Sequence, residues 1–334
     1  MEDSVINKFQ NKNILLTGSN GYLAHALCSL LAKTKCRIIA MDIHQITPFL
    51  PSKIRKIKII KRDIRNPDVF SEILKPIDIV FHFAAQTSVY KANDNPLDDM
   101  AINLLPMLHL LETCRSRKIS PIIIFAGTAT ECGIPKYLPV DERHPDHPMT
   151  IYDLHKLAAE NYLKYYVRQG FVKGAILRLA NVYGPGPKSS SAERGVLNMM
   201  ALRALQGLDL TLYGSGNFIR DYIYIDDVAE AFLYSASKID KINGQHLIVG
   251  TGKGYKISEA FEIVAKRVEV RTGRTVKIRH VKPPSYLSPI ETRNFIANRT
   301  RIKKLTGWKP SHGLVNGIDM MIDAFVNNTT NYAK

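Results

Sequence analysis

The chain has 334 residues, of which 46 are Lys or Arg, 30 are Asp or Glu and 45% are hydrophobic. No stretch of uncharged apolar residues reaches the length of a membrane helix, so we expect no membrane span. The net charge of +16 is spread along the chain, and its densest cluster, "KIRKIKIIKR" at 53–62, alternates like a strand with one solvated face. Because no nucleic-acid motif accompanies this charge, we expect no nucleic-acid partner and favour a phosphate-bearing small substrate.

The N-terminus is polar and mixed in charge, unlike a signal peptide. Four scattered cysteines lack metal-ligand spacing, which predicts reduced thiols in a cytoplasmic protein: Cys28, Cys36, Cys114 and Cys132. His144 and His147 resemble a metal motif, but their proline-extended loop offers no third ligand of suitable spacing. We therefore expect no metal.

Short apolar strands alternate with helices through the first half of the chain. Strands are predicted at 13–18, 37–42, 58–64, 78–85, 121–128 and 174–184, and helices at 22–33, 97–116 and 151–168. Nearly continuous apolar strands separated by helices indicate a parallel sheet covered on both faces. The sequence therefore predicts an α/β fold with a doubly wound parallel sheet.

This rhythm changes after the Gly/Pro/Ser-rich stretch at 183–195. Short strands are predicted at 210–216 and 276–281, and 220–236 reads as a strand running into a helix. We expect a first domain over 1–185, to which 219–250 return. A smaller, discontinuous substrate lobe would comprise 186–218 and 251–334.

"TGSNGYLA" (17–24) lies between the first strand and the first helix, where a dinucleotide-binding loop belongs. Gly18 permits the tight turn, and Gly21 lets the backbone approach a pyrophosphate at the helix N-terminus. Ala24 occupies the third glycine position, an allowed variant. Two glycines alone are a weak signal, because an ordinary tight turn can have the same residue pattern.

Asp42 strengthens the dinucleotide hypothesis. It ends the second strand, where a carboxylate accepts hydrogen bonds from the adenine ribose hydroxyls. The same carboxylate repels a 2′-phosphate, and the following Ile43 and His44 supply no arginine to offset it. The predicted cofactor is NAD rather than NADP.

With this order in place, the chain resembles the extended short-chain dehydrogenase/reductase family, in its nucleotide-sugar epimerase/dehydratase branch. The resemblance rests on "FHFAAQTSV" (81–89), "LRLANVYGPG" (177–186), "RDYIYIDDVAEA" (220–231) and "ETRNFIAN" (291–298), and covers nearly the whole chain. It implies a Rossmann-type fold, an NAD-dependent enzyme and a nucleotide-diphosphate sugar as substrate. It also implies a homodimer formed through the helices at 97–116 and 151–168.

The resemblance assigns residues to both ligands. The arginines in the substrate set match those that contact the diphosphate. The implied cofactor-binding residues are Gly18, Asn20, Gly21, Tyr22, Leu23, Asp42, Ile43, Asp63, Ile64, Phe83, Ala84, Ala85, Gln86, Asn103, Ala126, Tyr152 and Lys156. The implied substrate-binding residues are Thr87, Thr128, Asn181, Tyr213, Arg220 and Arg293.

Two Tyr-x-x-x-Lys pairs compete for the catalytic role. The pair at Tyr234 and Lys238, "YSASK", is spelled more like the family pattern, but no Ser or Thr strand end precedes it suitably. Tyr152 and Lys156 share one helix face and follow Thr128 at the family's distance. The resemblance therefore implies Tyr152 as the base, Lys156 as stabiliser of its phenolate, and Thr128 as a hydrogen-bond partner of the sugar oxygen.

The reaction type depends on the residues after Thr128. Ala129 and Thr130 stand where related dehydratases and decarboxylases carry acids, so we favour a hexose 4-epimerase of the UDP-hexose or UDP-N-acetylhexosamine type. A nucleotide-linked 4-keto sugar reductase or other deoxysugar dehydrogenase remains an alternative, as does a non-catalytic NAD-binding scaffold. Departures from the family pattern are Glu131-Cys132 in the turn, where we read Cys132 as a buried thiol, and His155 in place of the usual Ser.

Overall fold

The computed structural model describes residues 2–44, 57–187 and 195–327. The predicted basic cluster at 53–62 and the break at 183–195 lie partly outside these residues. The strands are β1 Asn13–Thr17, β2 Arg37–Asp42, β3 Ile57–Lys61, β4 Ile79–His82, β5 Ile122–Thr128, β6 Lys173–Leu179, β7 Asn181–Tyr183, β8 Leu210–Tyr213, β9 Ile219–Tyr224, β10 His246–Val249, β11 Gly254–Lys256 and β12 Ile278–Val281.

Helices connect these strands. They are α1 Asp3–Ile6, α2 Tyr22–Leu31, α3 Val69–Ile73, α4 Val89–Asp94, α5 Pro96–Asn103, α6 Leu105–Arg117, α7 Ile151–Arg168, α8 Val196–Leu205, α9 Ile225–Ser237, α10 Ile239–Ile242, α11 Ile257–Thr272, α12 Thr300–Thr306 and α13 Leu314–Asn327, with 3₁₀ turns at Asn7–Phe9, Ala129–Cys132 and Pro289–Thr292. No helix among the described residues is long and apolar enough to cross a membrane.

A seven-stranded parallel sheet forms the centre, in the order β10-β6-β5-β4-β1-β2-β3. The order reverses at β1, and ligands of such sheets bind beyond the carboxyl ends of the strands at that reversal. The predicted doubly wound, Rossmann-type α/β fold is confirmed.

The continuous apolar runs in the sequence follow from burial on both faces of this sheet. In β1, Ile14 and Leu16 pack into the cluster that contains α2 and α9, whereas Leu15 between them packs into the cluster on the other side, which contains α6 and α7. All three side chains are fully buried. Successive strand residues face opposite sides, so each side requires an apolar residue.

A third core belongs to the smaller lobe, where α8, α11 and α13 pack with β8 and β9. The three-stranded sheet has the order β11-β9-β7, and β12 pairs with β8. In the stretch expected to return to the first domain, β9 lies in this small sheet, whereas β10 extends the large one and α9 contacts α2. The chain thus passes repeatedly between the two sheets.

Two predicted elements are interrupted. The helix expected at 97–116 is divided into α5 and α6 at Leu104, because Pro106 has no N–H to donate and its ring would clash with the preceding turn. The strand expected at 174–184 is divided into β6 and β7 at Ala180. The Ala180 N–H still bonds to Val249 in the large sheet, whereas β7 pairs with β9.

Candidate active site

Gly18 brings two strand ends together. Its φ of +67° is left-handed, and a Cβ there would lie 2.7 Å from the Ala84 Cα after β4. The neighbouring Thr17 Oγ1 accepts hydrogen bonds from the N–H groups of Phe83 and Ala84, both at 3.1 Å. The loops after β1 and β4 therefore form one close-packed floor that leaves no space for a side chain at Gly18.

Gly21 precedes the first turn of α2. No side chain caps this helix, and a Cβ on Gly21 would lie 2.9 Å from the Gly18 carbonyl oxygen. Ala24, at the third position of the fingerprint, is fully buried. Because the N–H groups of a first helical turn attract anions, this turn fits a pyrophosphate.

Asp42 lies at the end of β2 beside this loop. Its Oδ2 accepts a hydrogen bond from the Asn20 N–H and its Oδ1 accepts one from the His44 N–H, each at 3.0 Å. Ile43 beside it is exposed. A carboxylate fixed here suits ribose hydroxyls and disfavours a 2′-phosphate.

Asp63 and Ile64 lie after β3. Arg65 donates to both oxygens of Asp63, from Nε at 2.9 Å and Nη2 at 2.7 Å to Oδ2, and this pairing lowers the pKa of Asp63. Arg65 also reaches Asp98, while Ile64 is buried. Asp63 is thus held by a neighbouring arginine.

Buried polar side chains fix the loop after β4. Asp99 accepts from the Gln86 Nε2 at 2.9 Å and from the Asn103 Nδ2 at 2.7 Å, and its other oxygen lies 2.7 Å from the His155 Nδ1. Asn103 also donates to the Gln86 carbonyl. His155, the unusual residue between Tyr152 and Lys156, therefore joins α7 to the loop that carries the predicted cofactor residues.

A cavity of about 290 Å³ opens beyond the carboxyl ends of β4, β5 and β6. It brings together most of the predicted residues that are not in the fingerprint loop. They are Phe83, Ala85, Thr87, Ala126, Thr128, Tyr152, Lys156, Asn181, Arg220 and Arg293, and Tyr22 and Leu23 of the fingerprint also line the cavity. Tyr213 does not line the cavity, and its side chain on β8 is 52% exposed.

Tyr152 and Lys156 are both buried, and both line the cavity. The Lys156 Nζ lies 3.9 Å from the centroid of the Phe125 ring in β5, and this cation–π contact holds the ammonium group against the ring. The competing Tyr234 and Lys238 lie at the end of α9 and do not line the cavity. The structure thus places only one of the two pairs in the cavity, although both have the same spacing.

Thr128 ends β5 and caps the 3₁₀ turn that follows. Glu131 closes this capping box by accepting from the Thr128 N–H at 3.1 Å, and Arg178 lies 2.9 Å from its other oxygen. Burial, and then the neighbouring Glu160, raise the pKa of Glu131 well above its usual range. Glu131, the departure noted in the sequence, therefore fixes the backbone at Thr128.

Cys132 completes this turn. Its Sγ donates to the Ala129 carbonyl at 3.0 Å, and burial raises the pKa of the thiol to about 11. It is a buried thiol, as we interpreted it from the sequence.

Two buried arginines stand at the other side of the cavity. Arg220 donates to the carbonyls of Ile219 at 3.1 Å and Glu291 at 2.7 Å, and Arg293 donates to that of Ile290 at 2.8 Å. The Glu291 carboxylate is 3.7 Å from Arg220 and 3.9 Å from Arg293. Burial, and then Arg293, lower the pKa of Arg220 to about 10, so this positive pair fits an anion.

Tyr22 joins the fingerprint to the smaller lobe. Its hydroxyl donates to the Gly184 carbonyl at 2.6 Å and accepts from the Asn198 Nδ2 at 3.3 Å. A Cβ on Gly186 would lie 2.4 Å from the Tyr22 ring. The "YGPG" segment (183–186) therefore packs directly against the predicted cofactor loop.

Sequence reasoning missed several apolar and aromatic residues of the cavity wall. A signal was available for those that belong to strings used for other residues, namely Val89, Val182, Tyr183, Tyr222 and Phe295, and for Ala129 and Thr130, which follow Thr128. The missed lining residues include Val89, Ala129, Thr130, Val182, Tyr183, Leu197, Tyr222, Ile257, Ile290 and Phe295.

His144 of the proline-rich loop forms hydrogen bonds with nearby backbone groups. His144 Nε2 accepts the Lys136 N–H at 2.9 Å, and its Nδ1 lies 2.8 Å from the Pro145 carbonyl. Among the described residues, no group of three or more His, Cys, Asp or Glu side chains could hold a metal ion.

Comparison with known proteins identifies the family of this chain. The model of the NAD dependent epimerase/dehydratase family matches residues 14–250. A candidate UDP-glucose 4-epimerase of Methanocaldococcus jannaschii is 31% identical over 319 residues, which cover 94% of this chain and 99% of that protein.

Solved structures extend the similarity. The UDP-glucose 4-epimerase of Thermotoga maritima, solved with UDP-glucose, has a TM-score of 0.84 at 27% identity and covers 95% of this chain and 99% of its own. That of Thermus thermophilus, solved with NAD, has a TM-score of 0.82 at 28% identity, with coverage of 95% and 99%. The predicted enzyme class and NAD cofactor are confirmed: the chain belongs to the NAD dependent epimerase/dehydratase family.

Proposed function

We propose that this enzyme is a 4-epimerase of nucleotide-diphosphate sugars that acts on a UDP-hexose or UDP-N-acetylhexosamine through a transient 4-keto sugar. One observation carries the proposal. Thr128, Tyr152 and Lys156 line the same cavity as the buried pair Arg220 and Arg293. A reactive sugar and its diphosphate can thus bind together. We also propose that the product is a precursor for the synthesis of cell-surface polysaccharides.

Each residue of the proposed site has a distinct task. Tyr152 is the base for the sugar O4 proton, and Lys156 stabilises its phenolate. Thr128 bonds to the same sugar oxygen. NAD, when bound, supplies the hydride acceptor and donor. The fingerprint loop and Asp42 would hold it, because the first turn of α2 offers N–H groups to its pyrophosphate and the fixed Asp42 carboxylate suits its ribose hydroxyls.

The arginine pair is assigned to the diphosphate. Guanidinium groups offer planar forks of donors that match phosphate oxygens. The Glu291 carboxylate is partly exposed and lies near both arginines. It neutralises only part of their positive charge, so the pair would still attract an anion. Asn181 and Thr87 also line the cavity and are proposed substrate residues. Tyr213 remains a proposed substrate residue outside the cavity wall.

An epimerase is favoured over an eliminating enzyme by Ala129 and Thr130. Both line the cavity directly after Thr128, where an acid would be needed to expel water or activate a carboxylate. Epimerisation at C4 needs only one acid/base, because hydride leaves and returns at the same carbon. The absence of a carboxylate at these two positions therefore supports the proposal.

We assign NAD binding to 1–185 with 219–250, and sugar-nucleotide binding to 186–218 with 251–334. We propose a homodimer formed through the helices over 97–116 and 151–168, which are α5, α6 and α7. Leu97 of α5 is 77% exposed, and Leu154, Tyr162 and Tyr165 are exposed along one side of α7. The proposed setting is the cytoplasm, where thiols stay reduced, and all four cysteines are free.

A panel of UDP-, dTDP-, GDP- and CDP-sugars tests the proposal. We expect C4 epimers of a UDP-sugar to form without added reductant. Tyr152→Phe should lower kcat by about 100-fold or more, in the range expected for loss of a general base. Tyr234→Phe is the matched control, because it removes the same hydroxyl from the competing pair.

Two results would contradict the epimerase. Stoichiometric consumption of NADH with a 4-keto sugar nucleotide, without C4 inversion of any UDP-sugar, would establish the reductase instead. If Tyr152→Phe kept full activity, a different base would have to act in the cavity.

A further inference from the structure

The cavity wall includes residues from two distant parts of the chain that contact each other directly. Val89, at the start of α4, lines the cavity, and so do Ile290 and Glu291 in the 3₁₀ turn after Ser288. The Tyr90 hydroxyl oxygen accepts a hydrogen bond from the Ser288 N–H at 3.4 Å. The residue after Val89 is thus bonded to the segment that leads into the 3₁₀ turn.

An aromatic contact accompanies this bond. The rings of Tyr90 and Tyr286 meet edge to face, with their centroids 5.8 Å apart and an angle of 85° between their planes. This arrangement is favoured for two aromatic rings. Tyr286 is 72% exposed and does not line the cavity, so the contact lies at the protein surface. We call the contacts of Tyr90 with Tyr286 and Ser288 the tyrosine clasp.

The helix that carries Tyr90 also packs against the helix that carries the proposed base. Val89 and Ala92 of α4 form a buried cluster with Tyr152 of α7. The Asn93 Oδ1 accepts a hydrogen bond from the Ile151 N–H at 3.0 Å, which joins the end of α4 to the first residue of α7. A displacement of α4 would therefore displace the surroundings of Tyr152.

The arginine pair has separate anchors. Arg220 donates to the carbonyls of Ile219 and Glu291, and the Phe295 N–H donates to the Ile219 carbonyl at 3.0 Å. These bonds attach the segment after the 3₁₀ turn to β9. Loss of the tyrosine clasp should therefore leave the anion site in place and change its position relative to α4.

We propose that Tyr90 and Tyr286 are positioning residues, whose contact fixes the distance between the arginine pair and Tyr152. The inference rests on the proposed function. A nucleotide sugar held at its diphosphate by Arg220 and Arg293 must present its C4 hydroxyl to Tyr152 on α7. Because a misplacement of about 1 Å can lower a rate about 100-fold, a contact that fixes these two parts contributes to the rate without touching the substrate.

Kinetics on the full-length enzyme tests the positioning role. Tyr286→Ala removes an exposed ring, so the fold should persist, and kcat for C4 inversion should fall about tenfold with little change in the affinity for UDP. Tyr286→Phe keeps the ring and should recover most of the rate. Tyr137→Ala is the matched control, because Tyr137 is also exposed and contacts the His144 ring away from the cavity lining.

A double-mutant cycle tests whether the two tyrosines act through one contact. Tyr90→Ala should also lower kcat, and the double variant should be no slower than Tyr90→Ala alone, since both changes remove the same contact. If the two losses in kcat multiply, the rings act separately and the tyrosine clasp is refuted. Thermal unfolding of each variant identifies loss of folding.

Hydrogen exchange measures the coupling without turnover. In the enzyme saturated with NAD, UDP should slow amide exchange in α4 of the wild type, because the tyrosine clasp joins α4 to the segment beside the arginines. In Tyr286→Ala, UDP should leave α4 unchanged. An equal response of α4 in both proteins, including no response in either, would overturn the coupling.

The outcomes separate the two proposals. If wild type inverts C4 and folded Tyr286→Ala matches its kcat, the positioning role is refuted while the epimerase stands. If wild type turns over no nucleotide sugar, the proposed function fails and the positioning role in catalysis fails with it. The exchange experiment still decides whether the tyrosine clasp couples the anion site to α4.

Discussion

Replacing Gly18 by alanine should damage the cofactor site through the backbone alone. An alanine with φ of +67° costs about 1–2 kcal/mol in any left-handed position. Here its Cβ would also lie 2.7 Å from the Cα and N of Ala84, about 1 Å inside normal contact. Relief requires moving Ala84 and weakening its bond to Thr17, worth about 0.5–1.5 kcal/mol. Together these two contributions give an expected loss of about 1.5–3.5 kcal/mol.

The chain offers a matched control for this variant. Gly207 has a φ of +76°, and within the part of the chain that the structure describes no atom lies within 4 Å of an added Cβ, so Gly207→Ala carries only the left-handed cost. Urea unfolding gives the free energy of unfolding of both variants, and calorimetric titration gives their affinity for NAD. Gly18→Ala should lose more stability and at least tenfold more NAD affinity. Equal losses in both variants would refute the close approach at Ala84 as the reason for glycine.

Further predictions concern charge, pH and assembly. Arg293→Gln should weaken UDP binding by about tenfold or more, and Glu291→Gln should tighten it, in calorimetric titrations. Burial, and then Lys156, lower the pKa of His82 to about 3 from 6.5. The folded protein therefore loses stability as pH falls from 6.5 towards 3, by up to about 1.4 kcal/mol per pH unit, and His82→Phe should flatten that slope in urea unfolding. Tyr165→Glu should convert the proposed dimer to monomer in analytical ultracentrifugation.

Each of these predictions has an opposing outcome. If Glu291→Gln weakened UDP binding as Arg293→Gln does, the anion would not bind between the arginines. A His82→Phe slope equal to that of wild type would show that His82 is not the group excluded from protonation. Val270→Glu, on the exposed side of α11, is the control for assembly, and a monomeric wild type would refute the dimer.

Much of the fold could be predicted from local pattern. The strands β1, β2, β4 and β5 were located because burial on both sheet faces requires continuous apolar runs. The helix α11 also carries a regular pattern, with Ala260, Phe261, Val264 and Val268 on its buried side, but it has no motif and was not singled out. The short β10 was missed because its pairing with β6 is a long-range contact with no sequence signature.

The candidate site likewise contains residues that the sequence pattern predicted and residues that it did not. Gly18, Gly21 and Asp42 were identified because a dinucleotide-binding turn requires glycines and an acid at fixed positions, and all of these positions fall within one βαβ unit. The cavity wall could not be identified in this way. Ile257, Ile290 and Leu197 come from distant segments, and their sequence pattern does not distinguish them from ordinary core residues.

The sequence by itself determined the parallel sheet, the dinucleotide loop with its acidic partner, and two Tyr-x-x-x-Lys pairs of identical spacing, of which the family resemblance favoured Tyr152 and Lys156. Only the tertiary structure placed Tyr152 and Lys156 in the cavity and left Tyr234 outside it. It also gave His155 its partner Asp99, and Thr130 its partner Asp153. Spacing along one helix is a local property, but access to a cavity and the partner of a buried polar group depend on which distant segments pack together.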